Sequence, residues 1–170
     1  MPTVPDFSVS IRPIGVVVSE FRDFTQRTDY ESESMIWIRE NLPEGLTGLE
    51  YFSHIYVLYH QHRRQEWQRF QGWSETDEQV LTMPLVAEPT CKGVYTTRAP
   101  ARLSGIGFCV VELLRREENR LYVRGLDAFD GTAVLDLKVY IAAYDSFPNA
   151  VTPRHWSGRQ DVMETSRMLH

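Results

Sequence analysis

The sequence predicts a mainly β protein: a single compact β-barrel domain with short helices and an irregular C-terminal tail. Three observations carry this. At least six short runs rich in β-branched and aromatic residues follow one another, with turn residues between them. Helical periodicity is scarce along the chain. With 170 residues and 42% hydrophobic content, the chain can build one core, and nothing demands a second domain. Short strands at close intervals favour a barrel or sandwich over a doubly wound sheet. The domain is expected to span residues 1–170, with its core at about 11–145 and the tail at 146–170.

Ile14 to Ser19 reads as a buried strand ended by polar residues. Met35 to Arg39 is β-branched and aromatic, and Asn41-Leu42-Pro43-Glu44-Gly45 closes it as a turn. His54 to Tyr59 is another strand. Arg63 to Phe70 is the best short helix, stopped by Gly72. Gln79 to Leu85 is extended, and Pro84 and Pro89 suit a strand end or an edge. Gly107 to Leu114 and Arg120 to Gly125 form a hairpin that turns near Asn119. Thr132 to Leu137 is a strand that follows an Asp130-Gly131 turn. The tail from Ser146, with Pro148, Pro153 and Gly158, is expected to wrap the domain or meet a partner.

A net charge of -5 argues against a general polyanion binder. Base nevertheless collects at His60 to Arg64, at Arg98 and Arg102, and at Arg115, Arg116, Arg120 and Arg124. Only a fold that gathers several of these makes a basic face. No apolar run approaches the ~20 residues that span a bilayer, and the first residues do not read as a secretory signal. The cytoplasm is the expected location. Cys91 and Cys109 stand alone and read as reduced, partly buried fillers.

The sequence holds no dinucleotide or phosphate-loop glycine pattern, no nucleophile elbow and no zinc-protease helix. His60 and His62 share a face if both lie on a strand, but no third ligand is near, so no metal is expected. His54 is expected to be structural, satisfying a backbone group beneath the barrel. Two segments carry more information. Gly93 to Gly107 sets Arg98 and Arg102 four apart in a loop flanked by Pro and Gly, suited to an anionic or π-rich ligand. Val123 to Lys138 places Asp127, Asp130 and Asp136 at strand ends beside a turn. Gly125 there permits close backbone approach to a ligand.

These two segments resemble the signatures of the TsaA-like (TrmO, YaeB) family, a T-R-S-x-x-R-P-N-P-I-G loop and a G-L-D-x-x-D-G-T-P-V-x-D-I-K-P-Y strand pair. Ile14-Gly15-Val16-Val17-Val18-Ser19 resembles the family's opening I-G-x-I-x-S. Gly45 to Leu58 resembles its G-L-x-G-L-E-x-F-S-H-x-W-V-L. The four blocks agree in order and spacing from about Ile11 to Asp145.

The resemblance implies a compact β-barrel, S-adenosylmethionine as methyl donor, and a homodimer. It also implies methylation of the exocyclic amine of threonylcarbamoyladenosine, the modified base just 3′ of the tRNA anticodon. Carried over block by block, the donor-site positions are His62, Arg63, Arg98, Phe108, Arg124, Gly125, Leu126 and Asp127. Arg102 and Lys138 are the positions expected to meet the tRNA substrate. Asp127, Asp130 and Asp136 are candidates to accept the proton of the reacting amine, and the sequence does not choose among them.

The chain departs from the family at Arg102-Leu103-Ser104-Gly105-Ile106-Gly107, which lacks both prolines and the asparagine of R-P-N-P-I-G. Ala99, Ala133 and Val139 replace a serine and two prolines, and Gln26-Arg27 stands where P-R-Q is expected. The donor pocket is therefore better preserved than the acceptor-facing loop. Alternatives are a different methyl acceptor, a non-catalytic sensor of S-adenosylmethionine or RNA, and a purely structural barrel.

Overall fold

A computed structural model of the chain describes residues 8–23, 30–40, 42–70, 82–85, 88–100 and 102–151. Its strands are β1 (Gly15–Val18), β2 (Glu33–Ile38), β3 (His54–His60), β4 (Thr82–Leu85), β5 (Glu88–Gly93), β6 (Ile106–Glu117), β7 (Arg120–Arg124) and β8 (Ala133–Val139). Helix α1 (Arg64–Phe70) follows β3, and a single turn, α2 (Ala142–Asp145), follows β8. Six strands close into an antiparallel barrel in the order β1-β2-β7-β6-β3-β8, and β4 pairs with β5 in a separate ribbon.

Alternation at period two builds the barrel, because successive side chains of a strand point to opposite faces. On β3 the inward residues are Ile55, Val57 and Tyr59; on β7 they are Leu121 and Val123; on β2, Ile36 and Ile38. Val17, Val111 and Val134 complete the ring. Each such side chain contributes about 1.5–3 kcal/mol by leaving water. Leu46, from the turn after β2, belongs to this core at one end of the barrel, and Leu126 and Ala128, after β7, belong to it at the other.

Two irregularities keep the inward faces in phase. Along β3–β8 the register shifts between Leu58 and Tyr59, so that Val134 opposes Tyr59 while Leu137 opposes Val57. The extra residue lets both Val134 and Leu137 face the core. A second shift interrupts β6–β7 between Leu113 and Arg115.

The predicted barrel, the hairpin and the short helix are all present. The hairpin turns at Glu118-Asn119, with Glu118 at φ 54° and the Asn119 side-chain amide donating to the Ile38 carbonyl at 2.8 Å. β5 extends past the strand expected over Gln79 to Leu85, and its Pro89 lies in a two-stranded ribbon, in keeping with the edge reading. His54 corrects another expectation: it is exposed on the outer surface, 3.0 Å from the Ser53 hydroxyl, not beneath the barrel. Asp136 lies within β8 rather than at a strand end. Trp67 is half-buried on α1. The Phe70 side chain, Trp73, Trp156, Gln26-Arg27 and the tail beyond Val151 lie outside the described residues. Among the described residues, no helix is long and apolar enough to cross a membrane.

Candidate functional site

Antiparallel pairing brings the ends of β3 and β7 and the starts of β6 and β8 to one rim of the barrel, where His60 pairs with Ile106 and Tyr59 with Val134. The two segments singled out by sequence meet at this rim. The link is Cys109, which faces inward on β6 and donates its thiol hydrogen to the Gly125 carbonyl at 3.2 Å. Burial pushes the Cys109 thiol up. The Asp127 carboxylate adds to that shift, while a backbone hydrogen bond at Asp127 and the Arg98 charge oppose it. One sulfur therefore senses both segments.

Arg98 lies over the outward ring of Phe108, 5.8 Å from its centroid, and Phe108 in turn stacks on Tyr56 at 5.2 Å. Behind Phe108, Tyr59 fills the core side of the rim. Its hydroxyl donates to the Asp127 carbonyl at 2.6 Å, and burial raises its pKa far above that of an ordinary phenol, helped by the Asp127 charge. Gly107 exists for this ring: a Cβ there would lie 2.2 Å from Tyr59. Gly125 adopts φ 83°, the left-handed region that favours glycine, and its N–H donates to the Ser32 carbonyl at 3.2 Å. Leu126 is buried, so only its backbone is offered outward. Asp127 is exposed.

A second group sits beside the first. His62 has its Nδ1 3.4 Å from the Thr132 hydroxyl, and burial lowers its pKa, with the His60 and Arg63 charges adding to the effect. Arg63 lies over the Phe129 ring at 4.5 Å, pairs with Glu66 and donates to the Arg22 carbonyl. Phe129 stacks on Phe21 at 4.2 Å. Asp130 accepts from the Ser19 N–H at 3.1 Å, locking the chain after β1. The segment Asp127 to Phe129 joins the two groups.

Four expected residues make contacts of their own within the chain. Arg124 points outward and pairs with Glu112 at 3.0 Å and Glu33 at 3.2 Å. Asp136 pairs with Lys138 at 2.9 Å on the outer face of β8, and its other oxygen accepts from the Leu137 N–H. Arg102 turns back on its own loop. It donates to the Thr97 carbonyl at 3.0 Å and covers the Tyr95 ring at 5.1 Å.

Sequence reasoning missed Tyr59, Cys109, Tyr95 and the Phe21–Phe129 stack. A tyrosine at an inward strand position needs a partner for its hydroxyl, and that signal marked Tyr59. Nothing local marked the others. Two grooves are also present. One, of about 900 Å³, is lined by Met35, Trp37, Glu40, Arg116, Glu118, Asn119 and Arg120. The other, of about 550 Å³, has His60, Ser104, Ile106, Ala133 and Leu135 beside the rim. Among the described residues, no three His, Cys, Asp or Glu side chains gather as a metal set.

A sequence model of the tRNA-methyltransferase O N-terminal domain matches residues 24–146. An S-adenosyl-L-methionine-binding protein of Archaeoglobus fulgidus is 38% identical over 139 residues, 79% of this chain and 91% of that protein. The human tRNA (adenine(37)-N6)-methyltransferase is 38% identical over 114 residues, 66% of this chain but 24% of that protein. The crystal structure of TrmO from Pseudomonas aeruginosa superposes with a TM-score of 0.65 at 28% identity, over 87% of this chain and 63% of that one.

Proposed function

The chain belongs to the TrmO family, and from that membership we propose that it is an S-adenosylmethionine-dependent methyltransferase that modifies the adenosine just 3′ of the tRNA anticodon. Within that reading the acceptor is the exocyclic amine of the threonylcarbamoyl-modified base. The observation that carries the proposal is the convergence of Arg98 and Phe108 with Gly125 to Asp127 around Cys109 at one rim. These residues fit the donor's chemistry. An exposed guanidinium suits its carboxylate, an exposed carboxylate at Asp127 suits its ammonium or ribose, and a half-exposed Phe108 ring suits adenine.

When bound, S-adenosylmethionine supplies an electrophilic methyl group on a sulfonium, and the protein's task is alignment and charge placement. Gly125 keeps the backbone free of side-chain bulk, and the Tyr59 hydroxyl fixes the Asp127 backbone. An adenine amine is a weak nucleophile, so a carboxylate that takes up its proton helps. Asp130 is bonded to the Ser19 backbone and Asp136 to Lys138. Asp127, which is exposed and acts on Cys109 together with Arg98, is the proton acceptor in this reading. His62 and Arg63 shape the rim beside Thr132 and Phe129. A homodimer and a cytoplasmic location complete the proposal.

The test is transfer of label from S-adenosylmethionine into total tRNA from a host lacking the modification. Label in that tRNA, lost in Asp127→Asn, supports the reading. Calorimetric donor binding without label in any tRNA rejects the acceptor. It then favours donor binding with another acceptor or a sensor role, which the altered Arg102-Leu103-Ser104-Gly105 loop also suits.

A further inference from the structure

The Gly93–Gly105 loop carries an exposed aromatic side chain to which the donor reading above gives no role. Tyr95 sits at the tip of a 3-10 turn, Val94–Thr96, with 67% of its surface in water. Such exposure is costly for a large ring and is not an accident of a loose loop, because the turn is braced from within. Val94 is buried at 2% exposure, the Thr96 hydroxyl donates to the Gly93 carbonyl at 2.8 Å, and the Thr97 hydroxyl donates to the Val94 carbonyl at 2.8 Å. Arg102, itself held by the Thr97 carbonyl, lies over the Tyr95 ring. The same loop carries Arg98 over Phe108, and Phe108 over Tyr56.

Two arginine–ring pairs thus stand on one braced loop. Their charge setting is unusual for an acidic protein. From Pro89 to Val111 the chain has Lys92, Arg98 and Arg102 and not one Asp or Glu, against a net charge of -5 overall. A flat ring backed by a guanidinium, on a stretch of chain that carries no carboxylate, matches single-stranded RNA, whose unstacked bases seek π faces and whose phosphates seek cations.

We infer that Tyr95 and Arg102 form a stacking platform for a nucleotide flanking the methylated adenosine, distinct from the donor-contacting pair Arg98–Phe108. The inference rests on the tRNA reading above and assigns the flanking-base contact within it. Arg102 holds the ring and meets the adjacent phosphate, while Tyr95 supplies the stacking face.

The experiment compares the wild type with Tyr95→Ala, Tyr95→Phe and Arg102→Ala in three measurements: donor affinity, affinity for an anticodon stem–loop RNA, and the sedimentation coefficient. Tyr95→Ala should weaken RNA binding about tenfold, the scale of one base–ring stack, with donor affinity unchanged. Tyr95→Phe keeps the ring and should bind RNA within about twofold of wild type. Arg102→Ala should weaken RNA binding and reduce its salt dependence. Equal RNA affinity for wild type and Tyr95→Ala overturns the inference alone. A wild type that binds donor but no RNA overturns both the inference and the tRNA reading. A Tyr95→Ala protein that loses self-association while keeping RNA affinity assigns the loop to a second copy of the chain, and overturns the inference as well.

Discussion

The two ends of the barrel use the same side chains for opposite purposes. At the hairpin end, arginines are neutralised. Arg115 pairs with Glu117 at 2.9 Å, and Arg116 donates to the Leu46 and Glu118 carbonyls and pairs with Glu50. At the opposite rim, Arg98 and Arg102 lie over aromatic rings. Among the described residues neither has a carboxylate within ion-pair distance. A guanidinium satisfied by acids and carbonyls is a structural clamp. One resting on a ring keeps its charge available to an incoming anion. The lesson is that neither arginine count nor ring contact locates a site, since Arg115 also lies over the Tyr122 ring at 3.5 Å and Arg63 over Phe129 pairs with Glu66. Arg98 and Arg102 differ in having a ring contact without a carboxylate pair among the described residues.

The sharpest test strains the β3–β6 pair at the rim and the β1–β2 pair away from Tyr59. Gly107→Ala would drive a Cβ into the Tyr59 ring, and Gly15→Ala would place one 2.4 Å from the Trp37 carbonyl. Neither neighbour is a flexible side-chain tip, so each substitution should destabilise by about 1–3 kcal/mol in denaturant titration. Only Gly107→Ala should also abolish donor binding by calorimetry, because Tyr59 holds the Asp127 backbone. Equal donor affinity in the two variants would place the donor away from this rim.

The next test exchanges clamp for ligand arm. Arg98→Ala removes an exposed guanidinium and should leave the melting temperature unchanged while donor affinity falls about tenfold, or ~1.4 kcal/mol. Arg116→Ala should do the reverse. Loss of its bonds to Leu46, Glu118 and Glu50 costs about 1 kcal/mol, which lowers the melting temperature by roughly 2–4 °C in a chain of this size, with donor affinity intact. If both variants lower both quantities, the two ends are not separable in the way their partners suggest.

Much of the fold was legible because period-two alternation is a local property. β3, β6 and β7 declared themselves through β-branched and aromatic runs, within which Ile55-x-Val57-x-Tyr59 and Leu121-x-Val123 face inward, and the turn near Asn119 through the two strands that flank it. β5 was not read as a strand of its own because Pro89 in Glu88–Gly93 suits a strand end as well as an edge, and its pairing with β4 depends on a partner outside the barrel. The site was legible only in part. Arg98 and Asp127 could be marked by resemblance, but their meeting through Cys109 depends on β6 lying between β3 and β7, a non-local fact that no window of sequence contains. For the same reason, the sequence does not show that Glu33 and Glu112 pair with Arg124 across strands, or that Asp136 pairs with Lys138 along one.

The smallest effect belongs to the rim and tests whether the second group, His62 with Thr132, is part of its construction. Burial holds the folded His62 pKa below the ordinary 6.5 of an exposed imidazole. The charges of His60 and Arg63 push the same way, and the His60 backbone and Glu66 oppose them. A lowered histidine pKa means that, between the folded value and 6.5, the unfolded chain binds more protons than the folded one. Stability therefore rises with pH across that window, is complete above pH 6.5, and is lost as pH falls below it. His62→Gln cannot titrate, so its melting temperature should fall less than that of the wild type between pH 7.5 and pH 5. Because the ring is partly solvated, the difference should be small, and a series of melts in matched buffers is needed to see it. Identical slopes for the two proteins would mean that protonating His62 costs the fold nothing. In that case the 3.4 Å approach to Thr132 is a contact of convenience, and the rim is built by Arg63, Phe129 and Asp130 without it.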